Sequence, residues 1–207
     1  MVWKKVRIDF TDRIKCQFCP QPITSGKGIV VVNEDGEYAF SGPCCAKKAK
    51  NVINPTEKLI DVTKGCLEYS VTSSPSRILS NSDNNPLIVL ESNDYFDENA
   101  VKAYLLLRFE KLTHIPAINT VTSSKLTEIY NQYKKTDKIS EKDKKYLEKV
   151  MYGENFPKFT YKNLQAVYAA DFWLNLFIQH NKAEDLKFIE SLLKYLHTWL
   201  MLTPRQI

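Results

Sequence analysis

Hydrophobic and polar positions follow three different patterns along the chain. Residues 3–10 alternate, with Val6, Ile8 and Phe10 on one face, which predicts a β-strand. An apolar run at 28–33 is followed by Glu34, Asp35 and Gly36 and then by a second strand-like stretch at 37–40. This is a hairpin signal, with Gly36 free to take the left-handed position of the turn. Pro43 stands where a helix starts, and residues 46–50 have helix propensity. Residues 54–94 are rich in turn chemistry: Asn54-Pro55, then serines and Pro75, then an Asn/Ser/Asp run ending at Pro86. Two short apolar patches within it, 59–62 and 87–90, are candidate strands packing back on the N-terminal module.

From Asp94 the pattern becomes helical. Val101, Tyr104, Leu105, Arg108, Phe109 and Leu112 form one stripe, which Pro116 should end. A second helix is predicted from Ser124 through Leu126, Ile129, Tyr130 and Tyr133. Ser140 and Asp143 make a capping box for a third, which ends near Gly153. Thr160 opens a fourth that reaches His180 and is apolar nearly all round, with Asp171 its one charge between Leu164 and Gln179. That pattern predicts the buried centre of a bundle. The last helix runs from Lys182, presents Leu186, Ile189, Leu193, Leu196 and Leu200, and is closed by Pro204. The expected fold class is α+β: a small N-terminal β-hairpin module (1–53), a loop-rich bridge (54–94) and a C-terminal helical bundle (95–207).

Composition adds limits. The 207 residues are 43% hydrophobic, enough for a core, and the net charge of +5 permits a nucleic-acid or acidic protein partner without requiring one. The N-terminal residues contain no signal-like apolar run, and no stretch approaches the roughly 18 apolar residues of a membrane span. The expectation is an intracellular protein, cytoplasmic or nuclear, with no membrane partner. In that setting clustered cysteines hold metal more often than they form disulfides.

Four of the five cysteines lie within thirty residues, as Cys16-x-x-Cys19 and Cys44-Cys45. No histidine precedes His114, so a metal site here is built on thiolates. Tetrahedral Zn2+ takes four such ligands, and a site with four protein ligands is structural because no position is left for water. The expected set is Cys16, Cys19, Cys44 and Cys45, with Cys66 as the alternative fourth ligand. Arg13, Lys15, Lys47 and Lys48 flank the pairs and offset the thiolate charge.

The pattern C-x2-C followed by C-C, with the basic pair Lys47-Lys48 close behind, resembles the zinc bundle of the small zinc-binding subunit of archaeal and eukaryotic RNA polymerases. In that family both adjacent cysteines are ligands. The resemblance covers about thirty residues, and a hairpin stands here where that family has helical segments. The stretch 41–48, Ser-Gly-Pro-Cys-Cys-Ala-Lys-Lys, also resembles the Gly-Pro-x-Cys-Ala-Lys end of treble-clef modules in phage and plasmid proteins. There Cys45 is the family cysteine and Cys44 fills a variable position. This second resemblance implies a viral or mobile-element origin.

Nothing in the sequence assembles a catalytic centre. His114, His180 and His197 belong to no metal or nucleophile motif, and no Gly-rich phosphate loop or paired-carboxylate motif is present. His114 and His180 read as helix-end residues bonding the last carbonyls. Asp171 reads as a buried hydrogen bond or ion pair to another helix. The chain is therefore expected to be non-catalytic, with no small-molecule substrate. Lysines on the module (Lys4, Lys5, Lys15, Lys27, Lys47, Lys48, Lys50) interleave with the aromatics Trp3, Phe18, Tyr38 and Phe40. Lysines contact phosphates and aromatics stack on bases, which points to nucleic acid bound through Lys15, Lys47, Lys48, Lys50, Phe18 and Tyr38. The alternative is an adaptor or inhibitor that holds a protein partner through helical tyrosines such as Tyr130, Tyr133, Tyr146 and Tyr152, with zinc purely structural.

Overall fold

The computed structural model describes residues 1–53, 58–64, 97–121, 123–153, 156–181 and 186–202. Strand β1 (Trp3–Phe10) is the hub of a five-stranded sheet. One edge pairs antiparallel with β4 (Lys27–Asn33), which pairs antiparallel with β5 (Tyr38–Ser41). The other edge takes two short parallel strands in tandem: β6 (Val52–Ile53) beside Trp3 and Lys4, and β7 (Ile60–Asp61) beside Arg7 and Ile8. The patch 59–62 thus supplies a strand, as its composition suggested. The patch 87–90 and Cys66 lie outside the described residues. A separate ribbon of β2 (Ile14–Lys15) and β3 (Pro22–Ile23) brackets the C-x2-C loop.

Two local features bear on the sequence pattern. The β1–β4 register shifts between Lys5 and Arg7, so Val6, Ile8 and Phe10 do not form one uniformly buried face. Trp3 and Lys5 are buried before the irregularity, and Asp9 and Phe10 after it. A bulge of this kind turns the strand and re-aims its side chains. The hairpin turn is as expected: Gly36 has φ +81°, and the Asn33 side-chain oxygen accepts from the N–H groups of Asp35 and Glu37.

Helix α1 (Pro43–Lys48) follows β5 directly. In the C-terminal half, α2 (Glu98–Leu106) is capped by Asp97 and runs into a π-helical turn, Leu107–Lys111. Pro116 lies just beyond that run and opens the short α3 (Pro116–Asn119), since its fixed φ suits a first helical position. Helices α4 (Ser124–Thr136), α5 (Glu141–Tyr152) and α6 (Tyr161–His180) are capped by Ser123, Ser140 and Thr160. Helix α7 (Leu186–Trp199) packs on α6 and α3.

The halves share a core. Phe10 of β1 and Val62 join Tyr104, Leu105, Leu164 and Leu196 in one apolar cluster, while Trp3, Ile29, Val31, Ala46 and Val52 form a smaller one within the sheet module. Helix α6 is the seam. Its Phe172 stacks on Phe10, its Tyr168 bonds Asp9, and its Trp173 lies edge-on to Phe10 and over Gly26. The expectation that α6 is buried all round holds only for its first half. Fully buried positions stop at Asp171, and Trp173 and Phe177 are exposed. A 20-residue helix spans about 30 Å, and the C-terminal half of α6 outruns the layer that covers it.

Candidate metal centre

The C-x2-C loop is held in place by backbone bonds. Cys16 N–H donates to the Gln21 carbonyl at 3.0 Å, closing the β2–β3 ribbon, and Gln17 N–H donates to the Phe40 carbonyl at 2.9 Å, tying the ribbon to β5. Helix α1 starts at the end of that same strand, and Cys45 sits in its first turn. These three elements bring Cys16, Cys19 and Cys45 together, with their sulfurs all within 4.8 Å of one another. Cys45 and Cys19 are 3.4 Å apart. Sulfurs bound tetrahedrally to zinc at about 2.3 Å are about 3.8 Å from each other, so the cluster is already close to metal-ligand spacing.

Electrostatics prepare the site unevenly. Burial alone would raise the Cys16 thiol. Donation from the Gly42 and Phe18 backbone N–H groups, the Ser41 hydroxyl and Cys19 outweighs it and brings the group down to about 7. The Gly42 N–H lies 3.4 Å from the sulfur. Cys45 is pushed up to about 12, first by its bond to Cys19, then by burial and by Cys16. Thiolates this close repel one another, and a cation between them would relieve that repulsion. A divalent metal would replace the shared protons, which is the usual coupling of thiolate sites to pH.

The expected ligand set also includes Cys44. It is exposed and stands outside the cluster. Consecutive helical residues point about 100° apart, so once Cys45 faces Cys16 and Cys19, Cys44 faces away. Among the described residues the cluster is therefore three cysteines.

The residues expected to meet nucleic acid divide in two. Lys15, Lys47, Lys48 and Lys50 are exposed, as is Tyr38 at 66%. Phe18 is half-buried, edge-to-face with Trp3 and packed on the module core, so its ring serves the fold. Lys5 is buried. The segments that carry the cluster, residues 13–33 and 38–53, hold Arg13, Lys15, Lys27, Lys47, Lys48 and Lys50 and no carboxylate. Of the helical tyrosines, Tyr133 is buried, and Tyr130 stacks on Phe109 and bonds Glu110. Tyr146 lies within reach of Ser123 and Lys125, and Tyr152 is exposed.

The histidines do more than cap helices. His180 bonds Asp12 at 2.7 Å, tying the end of α6 to the loop after β1. His114 and His197 converge on Asp171, which is buried and paired as its isolation on an apolar helix suggested. The convergence has no sequence signal, because the partners lie 57 and 26 residues from Asp171.

No helix among the described residues is long and apolar enough to cross a membrane. No family model matches the chain, and no curated protein or solved structure matches it either.

Proposed function

We propose that the N-terminal module is a structural zinc site whose basic surface holds nucleic acid or a nucleoprotein machine, and that the protein is non-catalytic. The observation that carries this reading is the coincidence of the cysteine cluster with an exposed surface of Lys15, Lys47, Lys48 and Lys50 free of carboxylates along both segments that bear it. With Cys66 as the fourth ligand, four thiolates around Zn2+ leave a net charge near −2, and six cations are more than that needs. The surplus suits a phosphate backbone. Tyr38 adds an exposed ring at the hairpin end for base stacking. Cys66 is the remaining cysteine of the five and becomes the preferred fourth ligand now that Cys44 faces away.

A second reading rests on a different observation. Trp173, Phe177, Phe188 and Trp199 are large apolar side chains exposed on α6 and α7. Such residues favour a protein partner for the helical half, with zinc serving the fold alone.

The deciding experiment is a fluorescence-anisotropy titration of the zinc-loaded full chain against short single- and double-stranded DNA and RNA at two salt concentrations. Tight binding with a steep salt slope supports the first reading. Absence of binding at low salt overturns it and leaves the adaptor reading.

A further inference from the structure

Asp171 has an unusual set of neighbours for a buried carboxylate. Its side chain is 7% exposed, and its ion-pair partners among the described residues are two histidines. His114 Nε2 lies 2.9 Å from Oδ2, and His197 Nε2 lies 2.6 Å from Oδ1. Lys111 lines the same cavity but is committed to Asp9. A buried carboxylate needs compensation, and histidine is not a permanent cation.

The three side chains come from three elements: the turn after the π-helical segment, α6 and α7. Their ligating atoms all lie within 4.8 Å of one another. The rings of His114 and His197 meet nearly edge-to-face, at 73° with centroids 5.7 Å apart, so both can present Nε2 to one point without stacking. Asn175, one turn along α6, donates to the Asp171 backbone carbonyl at 2.8 Å and to Oδ1 at 3.2 Å, which holds the carboxylate's orientation as outer-shell partners do in metal sites. Ligand atoms around a first-row divalent ion bound at about 2.1 Å lie about 3 Å apart, close to the two N–O distances here. His114 is half exposed, and the group borders an open cavity of about 250 Å³ lined by Glu110, His114, Asp171 and Gln179, which leaves room for water ligands.

We propose that His114, Asp171 and His197 form a second metal site, for a first-row divalent transition ion, with water completing the coordination. Two imidazoles and one carboxylate with open positions are a donor set for ions of the Zn2+ and Fe2+ class, and differ in kind from the thiolate cluster. The site would clamp the turn after the π-helical segment and α7 onto α6. It does not depend on the reading of the cysteine cluster.

Co2+ tests the proposal, because thiolate-bound cobalt has an intense near-ultraviolet charge-transfer band that imidazole and carboxylate ligands do not give. The metal-free, reduced full chain is titrated with Co2+, and bound metal is counted by equilibrium dialysis alongside the spectrum. The expected result is one equivalent of Co2+ bound without the charge-transfer band, retained in Cys16→Ser. It should weaken at least about tenfold, the size of an outer-shell loss, in both His114→Ala and Asp171→Asn. His114→Ala removes a half-exposed side chain, so it decides the matter if Asp171→Asn does not fold. Uptake limited to cobalt that shows the charge-transfer band, or undiminished uptake in His114→Ala, overturns the proposal.

Discussion

Tyr168 donates its hydroxyl hydrogen to Asp9 at 2.6 Å, across 159 residues of sequence. Asp9 is buried at the end of β1, and Arg7, Lys111 and the Phe10 N–H also bond it. Burial alone would raise this carboxyl. Lys111, with Tyr168 and Arg7, overcomes that and holds it below its ordinary value of 3.8. One carboxylate thus joins the sheet, the π-helical turn and α6.

The pH dependence follows from that sign. A carboxyl whose folded pKa is depressed contributes stability that is fully present above its unfolded value and is lost as pH falls through the folded one. Urea melts should show wild-type stability declining below about pH 4. Asp9→Asn should cost about 3 kcal/mol at neutral pH, the scale for breaking a buried pair, and its deficit should shrink in acid. An equal deficit at pH 7 and pH 3 would show that ionisation of Asp9 is not what stabilises the seam.

Metal content should separate the two adjacent cysteines. If the cluster holds zinc, Cys45→Ser should lose it and lower the melting temperature of the module, because Cys45 is within the cluster. Cys44→Ser should keep its zinc. Elemental analysis of the purified variants decides it, and loss of zinc from Cys44→Ser would mean that α1 rearranges on binding metal.

Gly26 is a packing constraint as well as a turn residue. Its φ is +70°, and a Cβ there would overlap the Trp173 indole. Gly26→Ala should destabilise the protein by about 1–3 kcal/mol, the cost of overpacking, read as a lower midpoint in thermal melts. An unchanged midpoint would mean that Trp173 moves aside freely and contributes little to the seam.

Lys47 and Lys48 are the cations of the last turn of α1 and both are exposed. If the module holds DNA, Lys47→Ala with Lys48→Ala should weaken binding across sequences. The log–log salt slope should flatten by about 0.9 for each phosphate no longer neutralised. Weaker affinity with an unchanged slope would assign these lysines to something other than phosphate.

Local signals were the legible part of this chain. The hairpin, the start of α1 at Pro43, and the caps at Ser140 and Thr160 rest on chemistry within a few residues, and each is found where the sequence places it. What escaped depends on distant partners. The parallel pairing of β6 with β1 rests on a two-residue strand with no pattern of its own, whereas β7 falls in the apolar patch 59–62 expected to pack back on the module. A continuous apolar helix pattern does not tell which half of α6 finds cover. The two resemblances treat Cys44 differently, and the helical path from Gly42 is what separates its direction from that of Cys45. His114, Asp171 and His197 share no signal until three elements meet.

The aromatic seam and the module core give the molecule three built-in optical probes. Trp3 lies buried against Phe18, a ring that sits between Cys16 and Cys19 in the sequence. Trp173 rests on Phe10 where the halves meet, and Trp199 lies near Lys158 and Tyr195 at the end of α7. These are the three tryptophans of the chain. Emission from single-tryptophan variants would therefore follow the neighbourhood of the C-x2-C loop, the seam and the helical rim separately, and would reveal whether adding metal tightens one neighbourhood or all three.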